Sequence, residues 1–267
     1  MAVMPAPAPA PAPTVLLPST PAVAQEVRRD DGIGTPSGQR VRLYVWEVPV
    51  RLTHWLTFFS IVVLSVTGGY IASPFLLPPG GAVMSTVFAI HMGAAFVFLA
   101  SGILRTYWLF AGNRFSSWRA FVPTNRRHLA EIIEQAKWYA FLRKDLPRVV
   151  GHNALASGTY LVVFFLFLVQ TLTGFALASV HGNAIESALF GWVPLVTGGI
   201  QGMRLIHHLI MWVIIGFAIH HVYSAVLVDH WEKTGVMSSI FGGYKFITRR
   251  DVQAARDGGM DLGGIER

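Results

Sequence analysis

Four largely apolar stretches of the chain carry no Asp, Glu, Lys or Arg: Leu52–Ala72, Val83–Leu104, Leu155–Val180 and Leu205–Val228. Each holds about 20 residues, the length an α-helix needs to cross a hydrocarbon layer. The pattern predicts an all-α membrane protein, a four-transmembrane-helix bundle with both termini on one side. The link after the second run, residues 128–142 (HLAEIIEQAKWYAFL), places Leu129, Ile132, Ile133, Ala136 and Leu142 at helical spacing. It reads as an amphipathic helix lying on the membrane or against the bundle.

Outside the apolar runs the composition changes. Residues 1–40 open with alternating Ala-Pro, which favours extended conformations and builds no core, and read as a disordered tail. Residues 249–267 read as a flexible C-terminal tail, leaving 41–248 as the membrane domain. Val15-Leu16-Leu17 is too short for a signal sequence, and no basic segment precedes it.

Of the 267 residues 53% are hydrophobic and 13% charged, a balance that belongs in lipid. The net charge of +7 is distributed by side rather than gathered in a patch. Nineteen Lys/Arg lie in the N-terminal segment through Arg51, the 112–154 link and the tail after Asp229, against none in links 74–82 and 181–203. That contrast places both termini in the cytoplasm and points to a lipid bilayer rather than nucleic acid as the partner. With no cysteine, disulfides, thiolate-held iron–sulfur clusters and c-type haem attachment are excluded.

Histidine carries the candidate chemistry. The fourth run, RLIHHLIMWVIIGFAIHHVY (Arg204–Tyr223), contains four histidines, of which His207 and His221 are fourteen residues apart. They fall within about 40° of each other and about 21 Å apart along a helix; the other cross-pairs diverge by about 120–140°. By depth, His54 matches His221 and His91 matches His207. Facing imidazoles in a four-helix bundle hold haem iron without cysteine. The rival readings are polar contacts between helices, a zinc or copper site lacking its third and fourth ligands, and a proton relay lacking intramembrane Asp or Glu. His208 and His220 read as interfacial or packing residues. Gly68, fourteen residues after His54, falls at the outer level, where a missing side chain admits a ring. An internal echo, VLSVTGGYIAS around Thr67-Gly68 and VQTLTGFALAS around Thr173-Gly174, is equally explained by helix packing. Arg51 and Arg204 each precede a ligand candidate by three residues and suit haem propionates or an interfacial anchor. His152 and Asn153 form a polar turn entering the third run, suited to quinone carbonyls or to a helix cap.

The segments RLTHWLTFFSIVVLSVTG (51–68), RTYWLFAGNRF (105–115), GHNALA (151–156) and RLIHHLIMWVIIGFAIHHVYSAV (204–226) resemble the b-type cytochrome subunit of membrane-bound uptake [NiFe]-hydrogenases. The resemblance spans residues 42–248. It implies an electron-transfer subunit in the bacterial cytoplasmic (inner) membrane that does not itself activate hydrogen. Two haems b would be held by His54, His91, His207 and His221. The implied partners are the [NiFe]-hydrogenase small and large subunits, with ubiquinone or menaquinone as acceptor. The doublet His220-His221 departs from the motif's single histidine, and helical phase favours His221. The cytochrome b subunit of a formate dehydrogenase and a transporter or anchor protein with structural histidines are the alternatives.

Overall fold

The computed structural model describes residues 26–27, 40–74, 81–122, 126–140, 142, 154–180, 182, 184–249 and 252–253. Helices α1 (Val48–Ala72), α2 (Gly81–Ala111), α3 (Arg126–Tyr139), α4 (Ala154–Ser179), α5 (Ala184–Phe190), α6 (Val193–Thr197), α7 (Gly199–Glu232) and α8 (Val236–Gly242) follow one another along the chain. Of these α1, α2, α4 and α7 are long and apolar enough to cross a membrane. Helices α2 and α7 outrun the apolar stretches that predict them, because the helical backbone continues through Arg105 and Trp108 in one and through Asp229 and Trp231 in the other.

The four long helices form two antiparallel hairpins, α1 with α2 and α4 with α7. Their packing inverts the rule for soluble domains. Phe59, Val66, Phe96, Ile103, Phe165 and Ile219 are exposed, whereas Thr53, Ser60, Ser101 and Thr173 are buried. Between apolar solvent and apolar side chains little is gained by burial, so small and polar residues make the close helix contacts. Ser101 Oγ donates to the Thr53 carbonyl at 3.0 Å and lies 2.9 Å from Thr57 Oγ1, tying α2 to α1. Aromatic pairs Phe96–Phe175 and Phe98–Phe167 join α2 to α4. Consecutive left-handed glycines Gly198 (φ 79°) and Gly199 (φ 85°) turn the chain sharply from α6 into α7.

One end of the helices carries an element absent from the all-α expectation. Strands β1 (Glu26–Val27), β2 (Arg40–Tyr44) and β3 (Tyr244–Thr248) form an antiparallel sheet in the order β1-β2-β3, with Val41 opposite Ile247 and Leu43 opposite Lys245. Three residues of the segment read as a disordered tail, Glu26, Val27 and Arg40, thus pair within the fold. The inward face joins Trp46, Val50 and Phe115 in an apolar core. Pro49 begins α1 just beyond the sheet, its ring already set for helix. Trp46 Nε1 donates to Ser239 Oγ at 3.0 Å, and the Arg51 guanidinium donates to the Phe241 carbonyl. The sheet and α8 therefore clamp the start of α1 to the segment that follows α7.

A helix forms in the predicted segment and packs on α4, but it ends at Tyr139, short of Leu142, and among its described side chains Gln135 is buried while Ile133 is exposed.

Candidate functional site

The hairpins bring the four predicted histidines together in two pairs at different heights. At the sheet end, His54 from α1 faces His221 from α7 with ring centroids 6.2 Å apart and planes 52° apart. Phe217 stacks on His221 at 5.6 Å and Tyr160 meets it edge-on at 6.1 Å. Trp55 lies edge-on to His54 and stacks loosely on Phe241 at 4.8 Å, linking this pair to the clamp. His54 Nδ1 is buried without a hydrogen-bond partner among the described residues.

At the far end, His91 from α2 and His207 from α7 line one open cleft together with Gly68, Gln170, Gly174 and Met211. A Cβ on Gly68 would stand 3.3 Å from His91 Cε1, and one on Gly174 3.0 Å from His207 Cε1. Each imidazole is thus seated against a glycine of the neighbouring helix. His208 also lines this cleft, an outcome helical phase did not suggest, and accepts from Trp212 Nε1 at 3.2 Å. His220 is exposed, with Nε2 3.2 Å from Ser224 Oγ, and takes no part in the sheet-end pair.

The other predicted site residues are scattered. Arg51 is engaged with Phe241, and its Nε is buried without a hydrogen-bond partner among the described residues. Arg204 is exposed at the far end. His152 and Asn153 lie outside the described residues.

These surroundings fit a haem iron. Two imidazoles bonded to one metal at about 2 Å each, with ring centres roughly 1 Å behind the nitrogens, have centroids about 6 Å apart. His54 and His221 have that spacing. Among the described residues no three His, Cys, Asp or Glu side chains converge as a metal site.

Residues 45–243 match the family described as prokaryotic cytochrome b561. The chain belongs to this family. Its b-type cytochrome character brings haem b as cofactor to a membrane protein, in line with the histidine pairs. The b561-family chain is also 38% identical over 232 residues to a probable Ni/Fe-hydrogenase B-type cytochrome subunit of Cupriavidus necator, covering 84% of this chain and 95% of that relative. It is 35% identical to the like-named protein of Bradyrhizobium diazoefficiens, covering 85% and 93%. With the probable Ni/Fe-hydrogenase 1 B-type cytochrome subunit of Escherichia coli the identity is 36%, covering 76% and 90%.

Proposed function

We propose that this chain is the dihaem cytochrome b subunit of a membrane-bound Ni/Fe-hydrogenase, and that it carries electrons from the hydrogenase small subunit to membrane quinone. The observation that supports this most is the presence of two histidine pairs at two heights, with α7 contributing to both. His54 and His221 would hold one haem b and His91 and His207 the other. Bound haem supplies a one-electron iron couple at each level.

The chain's own part is to hold and orient. The clamp of β2, β3 and α8 fixes the start of α1, and hence His54, relative to the end of α7. Gly68 and Gly174 let the far-end imidazoles sit close to neighbouring helices. Apolar residues facing lipid keep water from both levels. Arg51 and Arg204, one at each end, are the cations we assign to propionate groups.

The basic residues orient the molecule with the sheet end and both termini in the cytoplasm of a bacterial inner membrane, and the His91/His207 level towards the outer side, where the small subunit would dock with its large subunit. Residues 41–248 form the cytochrome domain in this reading. Quinone, ubiquinone or menaquinone, would be reduced at the cytoplasmic side beside His152 and Asn153. A histidine and an amide at the water boundary can donate to its carbonyls and relay the two protons its reduction takes up.

Purifying the full chain with its partners from native membranes tests the reading. The expected result is nickel in the complex, two haems b per chain, and quinone reduction driven by hydrogen. Reduction driven by formate instead of hydrogen would move the chain to a formate dehydrogenase. Absence of haem would leave a transporter or anchor protein.

A further inference from the structure

The internal echo between α1 and α4 acquires a chemical meaning once the side chains are placed. Thr67 Oγ1 is 2.8 Å from His91 Nδ1, and Thr173 Oγ1 is 2.9 Å from His207 Nδ1. Each threonine is followed by the glycine against which the same imidazole rests, Gly68 for His91 and Gly174 for His207. A Thr-Gly dipeptide thus stands on the partner helix of each hairpin, and in both places it faces a histidine of the far-end pair.

The direction of these hydrogen bonds follows from the threonines' other contacts. Thr67 Oγ1 also lies 2.6 Å from the Val63 carbonyl, and Thr173 Oγ1 lies 2.8 Å from that of Val169. Two oxygens approach so closely only with a proton between them, and a hydroxyl has one proton. Each threonine therefore donates to its own helix and keeps a lone pair for the imidazole, so Nδ1 of both histidines carries the hydrogen and donates. Nε2 is left as the acceptor nitrogen of each ring. At His207 the Gln170 side-chain amide lies 3.3 Å from Nε2. The sheet-end pair lacks the arrangement, since His54 Nδ1 has no hydrogen-bond partner among the described residues.

We propose that Thr67-Gly68 and Thr173-Gly174 are twin seats that hold His91 and His207 in the Nδ1–H tautomer with Nε2 presented to the cleft, making Thr67 and Thr173 positioning residues for the far-end haem. The proposal rests on the assignment of His91 and His207 as ligands. An acceptor on Nδ1–H fixes the ring and raises the basicity of the coordinating nitrogen, which favours the oxidised iron. Removing it leaves a buried N–H unsatisfied and weakens the ligand, so the midpoint potential rises.

The test uses the full chain in its membrane complex with Thr67→Val, Thr173→Val and the corresponding Thr→Ser variants. Haem per chain, both midpoint potentials and the low-spin ferric electron paramagnetic resonance signals are read in each. Valine should raise the potential of one haem, shift its low-spin signal, and loosen its retention by about 10- to 100-fold. The second haem should be unmoved, and serine should restore the wild-type values. Valine variants with unchanged potential and signal overturn the proposal, as does equal loss of haem with valine and serine, which would mark a packing role. Failure of the underlying ligand assignment is recognised separately, by His91→Ala and His207→Ala failing to remove the haem that the valine variants perturb.

Discussion

His54 and His221 face each other across the sheet end at 6.2 Å between ring centroids, the spacing of two imidazoles on one iron, although one begins the first membrane helix and the other approaches the end of the last. The neighbouring His220 points instead to Ser224. His221→Ala should therefore remove one haem of two while His220→Ala keeps both, as counted by pyridine haemochrome against protein. Equal haem loss in the two variants would contradict the assignment within the doublet.

Glycine contacts rank two conservative substitutions. A Cβ at Gly174 would press on His207 Cε1 at 3.0 Å, tighter than one at Gly68 on His91 Cε1 at 3.3 Å. Gly174→Ala should perturb the far-end haem's spectrum and occupancy more than Gly68→Ala, with the sheet-end haem unchanged in both. Optical spectra at stepped potentials resolve the two centres and check the ranking.

Beside the sheet, one carboxylate oxygen gathers three donors. Glu47 Oε2 accepts from Trp108 Nε1 at 2.9 Å, Asn113 N at 2.8 Å and Ser116 Oγ at 3.0 Å, so the end of α2 is pinned to the start of α1. Glu47→Ala strands these donors, and a buried donor without a partner costs about 1–3 kcal/mol. A lower thermal midpoint in detergent is expected; an unchanged one would mean that water replaces the carboxylate freely.

Lys245 sits on the buried face of β3 opposite Leu43. Burial pushes its amine below the usual lysine range, against the pull of Glu232 and Asp229. A lysine with a lowered native pKa destabilises the fold when protonated. That penalty is fully present below the native pKa and vanishes as pH rises past the unfolded value of about 10.4. Stability relative to Lys245→Met should therefore increase with pH through this alkaline window. A flat difference between the two proteins would show that the carboxylates fully compensate burial.

The spans and the four histidines were legible because bilayer thickness fixes helix length, and helical phase then fixes which histidines share a face. Depth matching alone paired His54 with His221 and His91 with His207. The sheet was not legible: Arg40–Tyr44 alternates polar and apolar residues but Tyr244–Thr248 does not, five-residue runs carry little signal, and their pairing joins opposite ends of the chain. Thr67, Thr173 and Gly174 were visible only as an echo, since nothing in a sequence shows that a threonine on one hairpin strut meets an imidazole on the other. His208 escaped the phase argument because an open cleft admits residues flanking the ligand face.

The central claim is that two histidine pairs hold two separate haems, and haem content of the His91→Ala protein in isolated membranes tests it most directly. About half the b-haem should remain, with one midpoint potential left in a redox titration. Wild-type haem content, or two surviving potentials, would contradict the account.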